Sequence, residues 1–159
     1  MFNLTIMNLK RFLAIAVLSL MSFQGYATHL LGGEIVWKCK PNGKYQFTLV
    51  LYRECGGISL PTSAQSLATN AGVSISCAFI STTDVVPSCY TGTTTCAGAT
   101  SGTGKMQKYV YRSGDITLTG TRPASGWYFT WNSCCRPGSI SNVVSPGGAS
   151  YLLRAPCPP

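Results

Sequence analysis

Residues 34–55 read EIVWKCKPNGKYQFTLVLYREC. Two runs rich in β-branched and aromatic residues flank Asn42-Gly43, a dipeptide suited to the two positive-φ positions of a type I′ hairpin turn. In the second run Tyr45, Phe47, Leu49 and Leu51 alternate with Gln46, Thr48 and Val50, the period of a strand with one buried face. The stretch therefore predicts an antiparallel hairpin with a two-residue loop. That loop sets position 41 opposite 44 and Cys39 opposite Gln46. Cys39 then shares a face with Thr48 and Val50, while Cys55 belongs to the odd-numbered apolar face.

Working outward, further strand-like runs lie at 72–80 (GVSISCAFI), 105–112 (KMQKYVYR), 115–120 (DITLTG), 126–134 (GWYFTWNSC) and 150–154 (SYLLR). Gly, Pro, Ser and Asn clusters separate them, and no segment beyond residue 27 carries a 3.6-residue apolar period. Residues 59–68 (SLPTSAQSLA) read as a helical turn at most. Short strands between turn clusters predict an all-β, disulfide-stapled antiparallel β-sandwich, Ig-like or jelly-roll-like. The Thr/Gly/Ser-rich stretch 89–104 has too few apolar residues for a core and reads as a flexible loop.

The N-terminus sets the expected compartment. Lys10 and Arg11 precede an apolar run at 12–23, followed by Gly25 and Ala27 at the −3 and −1 positions of a cleavage site. The run is too short for a membrane span, which needs roughly 20 residues. Residues 1–27 therefore read as a cleaved signal peptide and 28–159 as a single secreted domain, with no transmembrane segment after cleavage. Without Lys10 and Arg11, ten basic residues face four acids. The basic residues are scattered, so nucleic acid is not an expected partner. A mild positive field suits cell-surface glycans or other surface proteins, although scattered lysines also simply solvate strand faces.

All eight cysteines lie beyond the signal segment: Cys39, Cys55, Cys77, Cys89, Cys96, Cys134, Cys135 and Cys157. An even number in an exported domain reads as a disulfide framework. There is no C-x-x-C, and His29 is the single histidine, so zinc is not expected. Adjacent Cα atoms about 3.8 Å apart are too close for a relaxed Cys134–Cys135 bond. Strand parity instead sends these two to opposite faces, matching Cys39 and Cys55. The expected pairing is Cys39 and Cys55 with Cys134 and Cys135, favouring Cys55–Cys135 and Cys39–Cys134. Cys89–Cys96 forms a local loop and Cys77–Cys157 follows by elimination.

Catalytic groups are scarce. The acids are Glu34, Glu54, Asp84 and Asp115, of which only Glu34 and Glu54 flank one hairpin. No nucleophile–base motif and no phosphate-binding loop occurs, so neither an enzyme nor a cofactor is expected. Trp127, Phe129 and Trp131 alternate as a core face beside a disulfide would. Tyr128, on the opposite face, is the candidate binding residue, an exposed ring able to stack on a sugar.

Three segments together carry a resemblance: ATHLLGGEIVWKC, GKYQFTLVLYRECGG and GWYFTWNSCCRPGSISN. They resemble the N-terminal domain of gliding motility-associated, adhesin-like surface proteins exported by type IX secretion. The matching positions are His29, Gly32, Gly33 and Glu34; Tyr52, Arg53, Glu54 and Cys55; and Cys134, Cys135 and Arg136. Glu54 stands for the family's usual Asp, and Pro137 for its usual Asn. The resemblance implies an extracellular β-sandwich in adhesion or surface display, without catalysis. Members continue into repeat arrays and a sorting domain, so this chain reads as a short or truncated member.

Overall fold

The hairpin seen in the sequence forms β1 (Leu30–Cys39) and β2 (Tyr45–Glu54), the start of an all-β chain. A computed structural model describes residues 30–86, 92, 95–99, 104–134, 136 and 140–159. The signal segment 1–27, His29, Cys89, Cys135, Pro137 and most of the 89–104 loop lie outside the described residues.

The turn differs from a type I′ hairpin by one residue, and Pro41 is the reason. Proline locks φ near −65° and suits the second position of a type I turn. Pro41 and Asn42 therefore make the turn, closed by Gly43 N–H donating to Lys40 O at 2.9 Å. Gly43 follows at φ 73°, and Asn42 has no positive φ. This is a three-residue loop whose last residue is left-handed. Cys39 consequently pairs with Tyr45, not Gln46. Its side chain joins the odd-numbered, inward face, which overturns the expectation that Cys39 and Cys55 point to opposite sides.

The other strands are β3 (Gln65–Thr69), β4 (Ile75–Val85), β5 (Met106–Ser113), β6 (Trp127–Ser133) and β7 (Tyr151–Cys157). Residues 59–68 are thus not helical, since β3 occupies their second half. The 115–120 run contributes only the bridge between Ile116 and Tyr45. Hydrogen bonding runs in the order β1-β2-β5-β4-β3-β6-β7, and each paired neighbour is antiparallel. β3 makes the corner between layers: Gln65 to Leu67 pair with β4, while Ala68 and Thr69 pair with β6. One layer is β1-β2-β5-β4 and the other β3-β6-β7. In chain order this is the strand arrangement of a constant-type immunoglobulin sandwich.

The core lies between these layers. Phe47 on β2 meets Phe129 on β6 with ring centroids 4.4 Å apart, and both are fully buried. Antibody domains join the same two strands by a disulfide; here two aromatic rings hold them, each stabilising by about 1.5–3 kcal/mol through burial. Leu30, Leu49, Leu51, Leu67, Ile75, Tyr111 and Trp131 complete the same cluster.

The disulfides differ from every expected pairing. Cys55 is bonded to Cys96, so Cys55 reaches neither Cys134 nor Cys135, and Cys96 does not close a loop with Cys89. Cys39, Cys77 and Cys157 are thiols, the last two buried, so Cys77–Cys157 is not formed. Cys134 is also disulfide-bonded. The physical cause is topology. The end of β2 lies beside the start of β5, where Glu54 pairs with Met106, and Asp84 on β4 holds the Cys96 backbone nearby, whereas the end of β6 lies in the other layer.

Candidate binding surface

The sandwich is continuous through β3 and open on the opposite side, where edge strands β1 and β7 face each other. Gly33 lies against Leu153 and Trp37 against Pro156, so the two strands run in the same direction. No ladder joins them among the described residues. Pro156 offers no backbone N–H to a neighbour, a common way of blunting a sheet edge. The indole N–H of Trp37 donates across the gap to the Pro156 carbonyl at 3.1 Å. Between the strands runs a groove of about 440 Å³, lined by Gly33 to Trp37 and Leu153 to Pro156.

Gly33 sets how closely β1 approaches this seam. A Cβ there would lie 2.6 Å from the Val50 carbonyl oxygen and 2.9 Å from both Leu153 Cδ1 and Leu51 Cδ2. Gly32 is under no such constraint, with Tyr151 Oη at 3.5 Å. Within the Gly-Gly-Glu motif, then, the second glycine carries the packing requirement, and Glu34 is among the residues lining the groove.

On the β7 bank, Arg154 places its guanidinium 4.7 Å from the centre of the Tyr128 ring. Tyr128 is 36% exposed and Leu152 62% exposed. Tyr128 faces outward, as the period-2 pattern requires, while Phe129 and Trp131 are buried and Trp127 packs on the core edge. Val36, 49% exposed, stands on the opposite bank. The groove therefore brings together Arg154, Glu34, Val36 and Trp37, with the Tyr128 ring beside it, outside the lining, against the Arg154 guanidinium. This set can bind a polar ligand and offers no paired acid and base.

Glu34 pairs with Val50 and Glu54 with Met106 in the ladders. Four residues of β2 separate them, about 13 Å at strand rise, so the hairpin does not join them as an acid pair. Asp115 is ion-paired with Lys40 beside the first turn, and the hydrogen bond from Lys40 holds its carboxyl below the ordinary carboxylate range. Asp84 accepts from Gln107 Nε2 at 2.8 Å and from the Cys96 backbone N–H at 2.8 Å.

That last contact belongs to a structural network. Buried Arg53 donates Nη2 to Gln107 Oε1 at 2.7 Å and Nη1 to the Gly57 carbonyl at 2.6 Å. Tyr109 Oη donates to the same Gln107 oxygen at 3.1 Å. Through Gln107 and Asp84, Arg53 ties the 54–57 turn to the backbone of Cys96, alongside the Cys55–Cys96 bond. The Tyr-Arg-Glu-Cys segment thus acts as a clamp on the fold.

Sequence reasoning missed Trp37 and Arg154 as groove residues. Arg154 lay at the end of the 150–154 run, and nothing local marks β7 as continuing through Pro156 to lie beside β1. Among the described residues no helix is long and apolar enough to cross a membrane. Comparison with protein-family models, curated proteins and solved structures found no match to the chain.

Proposed function

We propose that this chain is an exported, non-catalytic adhesion module that engages its target through the β1/β7 groove. The observation that carries the reading is Arg154, which lines one bank of the groove while its guanidinium lies against the exposed Tyr128 ring beside it, with Glu34 lining the other bank. A guanidinium fork held against an aromatic ring recognises oxygen-rich ligands by direct hydrogen bonds. The resemblance to adhesin-like surface domains and the covalent Cys55–Cys96 bond accord with work outside the cell. The test is retention of protein-coated beads on biological surfaces under flow. Wild-type beads are expected to be held, with retention falling several-fold for Tyr128→Ala and Arg154→Ala. Equal retention of all three would remove the groove from the reading, and hydrolysis of a glycan or peptide panel would remove its non-catalytic half.

A second reading, a carbohydrate-binding domain, is favoured by Arg154 over the Tyr128 ring in a setting rich in basic residues. It implies preference for acidic sugars. A glycan array separates the two: selective signal on uronic or sulfated glycans, abolished by Arg154→Ala, supports the lectin reading. Adhesion without any array signal points to a protein target.

A further inference from the structure

Two cysteines on the strands that flank the open seam lie at one end of the sandwich, Cys39 at its surface and Cys157 inside it. Cys39 is directly opposite Tyr45 in the β1/β2 ladder, and Cys157 is directly opposite Trp127 in the β6/β7 ladder. Directly opposed residues send their side chains to the same face of a sheet. The Tyr45 and Trp127 rings meet edge-on across the two layers, with centroids 6.3 Å apart. Both sulfurs therefore border one ring pair, on strands drawn together by the Trp37–Pro156 hydrogen bond two residues from Cys39 and one from Cys157. The Tyr45 hydroxyl bears this out. Burial raises its pKa first, and Cys157 and then Cys39 raise it further, as neighbours on both sides would.

We propose that Cys39 and Cys157 form a disulfide that clasps β1 to β7 and covalently closes the open side of the sandwich. Cys39 is exposed and Cys157 buried, which orders the chemistry. The Cys39 thiolate attacks one sulfur of a small-molecule disulfide such as oxidised glutathione, expelling one glutathione thiolate and leaving a mixed disulfide. The Cys157 thiolate then attacks the Cys39 sulfur and expels the second. Two protein thiols are oxidised by two electrons, one glutathione disulfide is reduced to two thiols, and the two protons pass to the leaving thiolates.

Cys77 is no competitor for either sulfur. It lies on β4, three strands from β1 in one direction and three from β7 in the other. It is fully buried, and burial pushes its thiol up to about 11. The clasp spans the two edge strands of the sheet order, where unpaired backbone otherwise invites another chain to add a strand.

The experiment equilibrates the full chain with oxidised and reduced glutathione, blocks free thiols by alkylation, and maps peptides without reduction. The expected result is a Cys39–Cys157 cross-linked peptide that disappears with dithiothreitol. Recovery of both cysteines alkylated, or of Cys157 joined to Cys77, overturns the proposal. Thermal unfolding gives an independent check through Cys39→Ser, Cys157→Ser and the double variant. In oxidising buffer all three are expected to fall about 10 °C further below the wild type than they do in dithiothreitol, where only the intrinsic cost of each serine remains. Summation of the two oxidation-dependent losses in the double variant would overturn it as well.

Discussion

Replacing Gly33 by alanine probes how closely the two layers approach at the seam. The added Cβ would sit 2.6 Å from the Val50 carbonyl oxygen, a backbone atom held in the β1/β2 ladder. It would also press Leu153 Cδ1 and Leu51 Cδ2, each at 2.9 Å. The leucine methyls can rotate away; the carbonyl can move only if β1 lifts from β2. Overpacking of this kind costs about 1–3 kcal/mol, and the ordinary preference of a strand for alanine over glycine returns at most about 1 kcal/mol. The net expectation for Gly33→Ala is a loss near 1–2 kcal/mol. With a urea m-value of roughly 1–3 kcal/mol/M, the midpoint falls by about 1 M. Gly32→Ala is the internal control, because its Cβ meets only Tyr151 Oη at an ordinary 3.5 Å. It should leave the midpoint unchanged or raise it slightly. Paired urea titrations followed by tryptophan fluorescence decide the matter. If Gly33→Ala is as stable as Gly32→Ala, the close approach is not what the motif's second glycine serves.

Three further outcomes follow from particular contacts. Arg53→Met keeps side-chain volume but removes the guanidinium donor from the Gly57 carbonyl and leaves Gln107 Oε1 to Tyr109 Oη; a destabilisation of about 2–3 kcal/mol is expected in urea titration, and a change under 1 kcal/mol would show that the network is dispensable. Cys55→Ser with Cys96→Ser opens a link between residues 41 apart in sequence, which should lower stability by about 4 kcal/mol in the chain-entropy account, read as the difference between wild type and variant in urea titration without reductant, a difference that dithiothreitol should abolish. Burial raises the Tyr111 hydroxyl to about 12, and it donates to the Pro61 carbonyl at 2.7 Å. A pKa raised by folding gives stability that is whole below the unfolded value near 10 and fades as pH climbs towards 12; ultraviolet titration of phenolate should show late ionisation whose amplitude falls by one tyrosine in Tyr111→Phe.

How far the sequence carries is seen in the first hairpin. The alternation from Tyr45 to Leu51 assigns the buried face of β2 correctly, because period-2 patterning reports local geometry that tertiary contacts only reinforce. The same logic turns Phe129 and Trp131 inward and Tyr128 outward. The register failed by one residue, and the cause was legible: Pro41 fits the second position of a type I turn, which moves Gly43 from the turn's centre to the left-handed position after it. A one-residue slip reverses every face, so the slip alone misdirected Cys39 and the parity argument for its partner. β3 was harder to see, since Gln65–Thr69 has little β-branched character and is extended because β4 and β6 each hold half of it.

The groove was less legible still. Its two banks are far apart in sequence: Trp37 and Pro156, 119 residues apart, meet through an indole hydrogen bond. No local signal in either strand indicates that they will run side by side, and an edge strand ending in Ala-Pro-Cys-Pro looks like a tail. What makes them neighbours is the sheet order: once β3 turns the corner between layers, the first and last strands must finish on the same open side. In a sandwich of this order the seam is therefore a consequence of topology. Its chemistry is particular to this chain, with glycine on one bank for close approach, proline on the other to stop ladder formation, and Arg154 beside Tyr128 left facing solvent. An edge kept apart in this way remains free to bind, and the placement of Cys39 and Cys157 at one end offers a means of holding it at a fixed width.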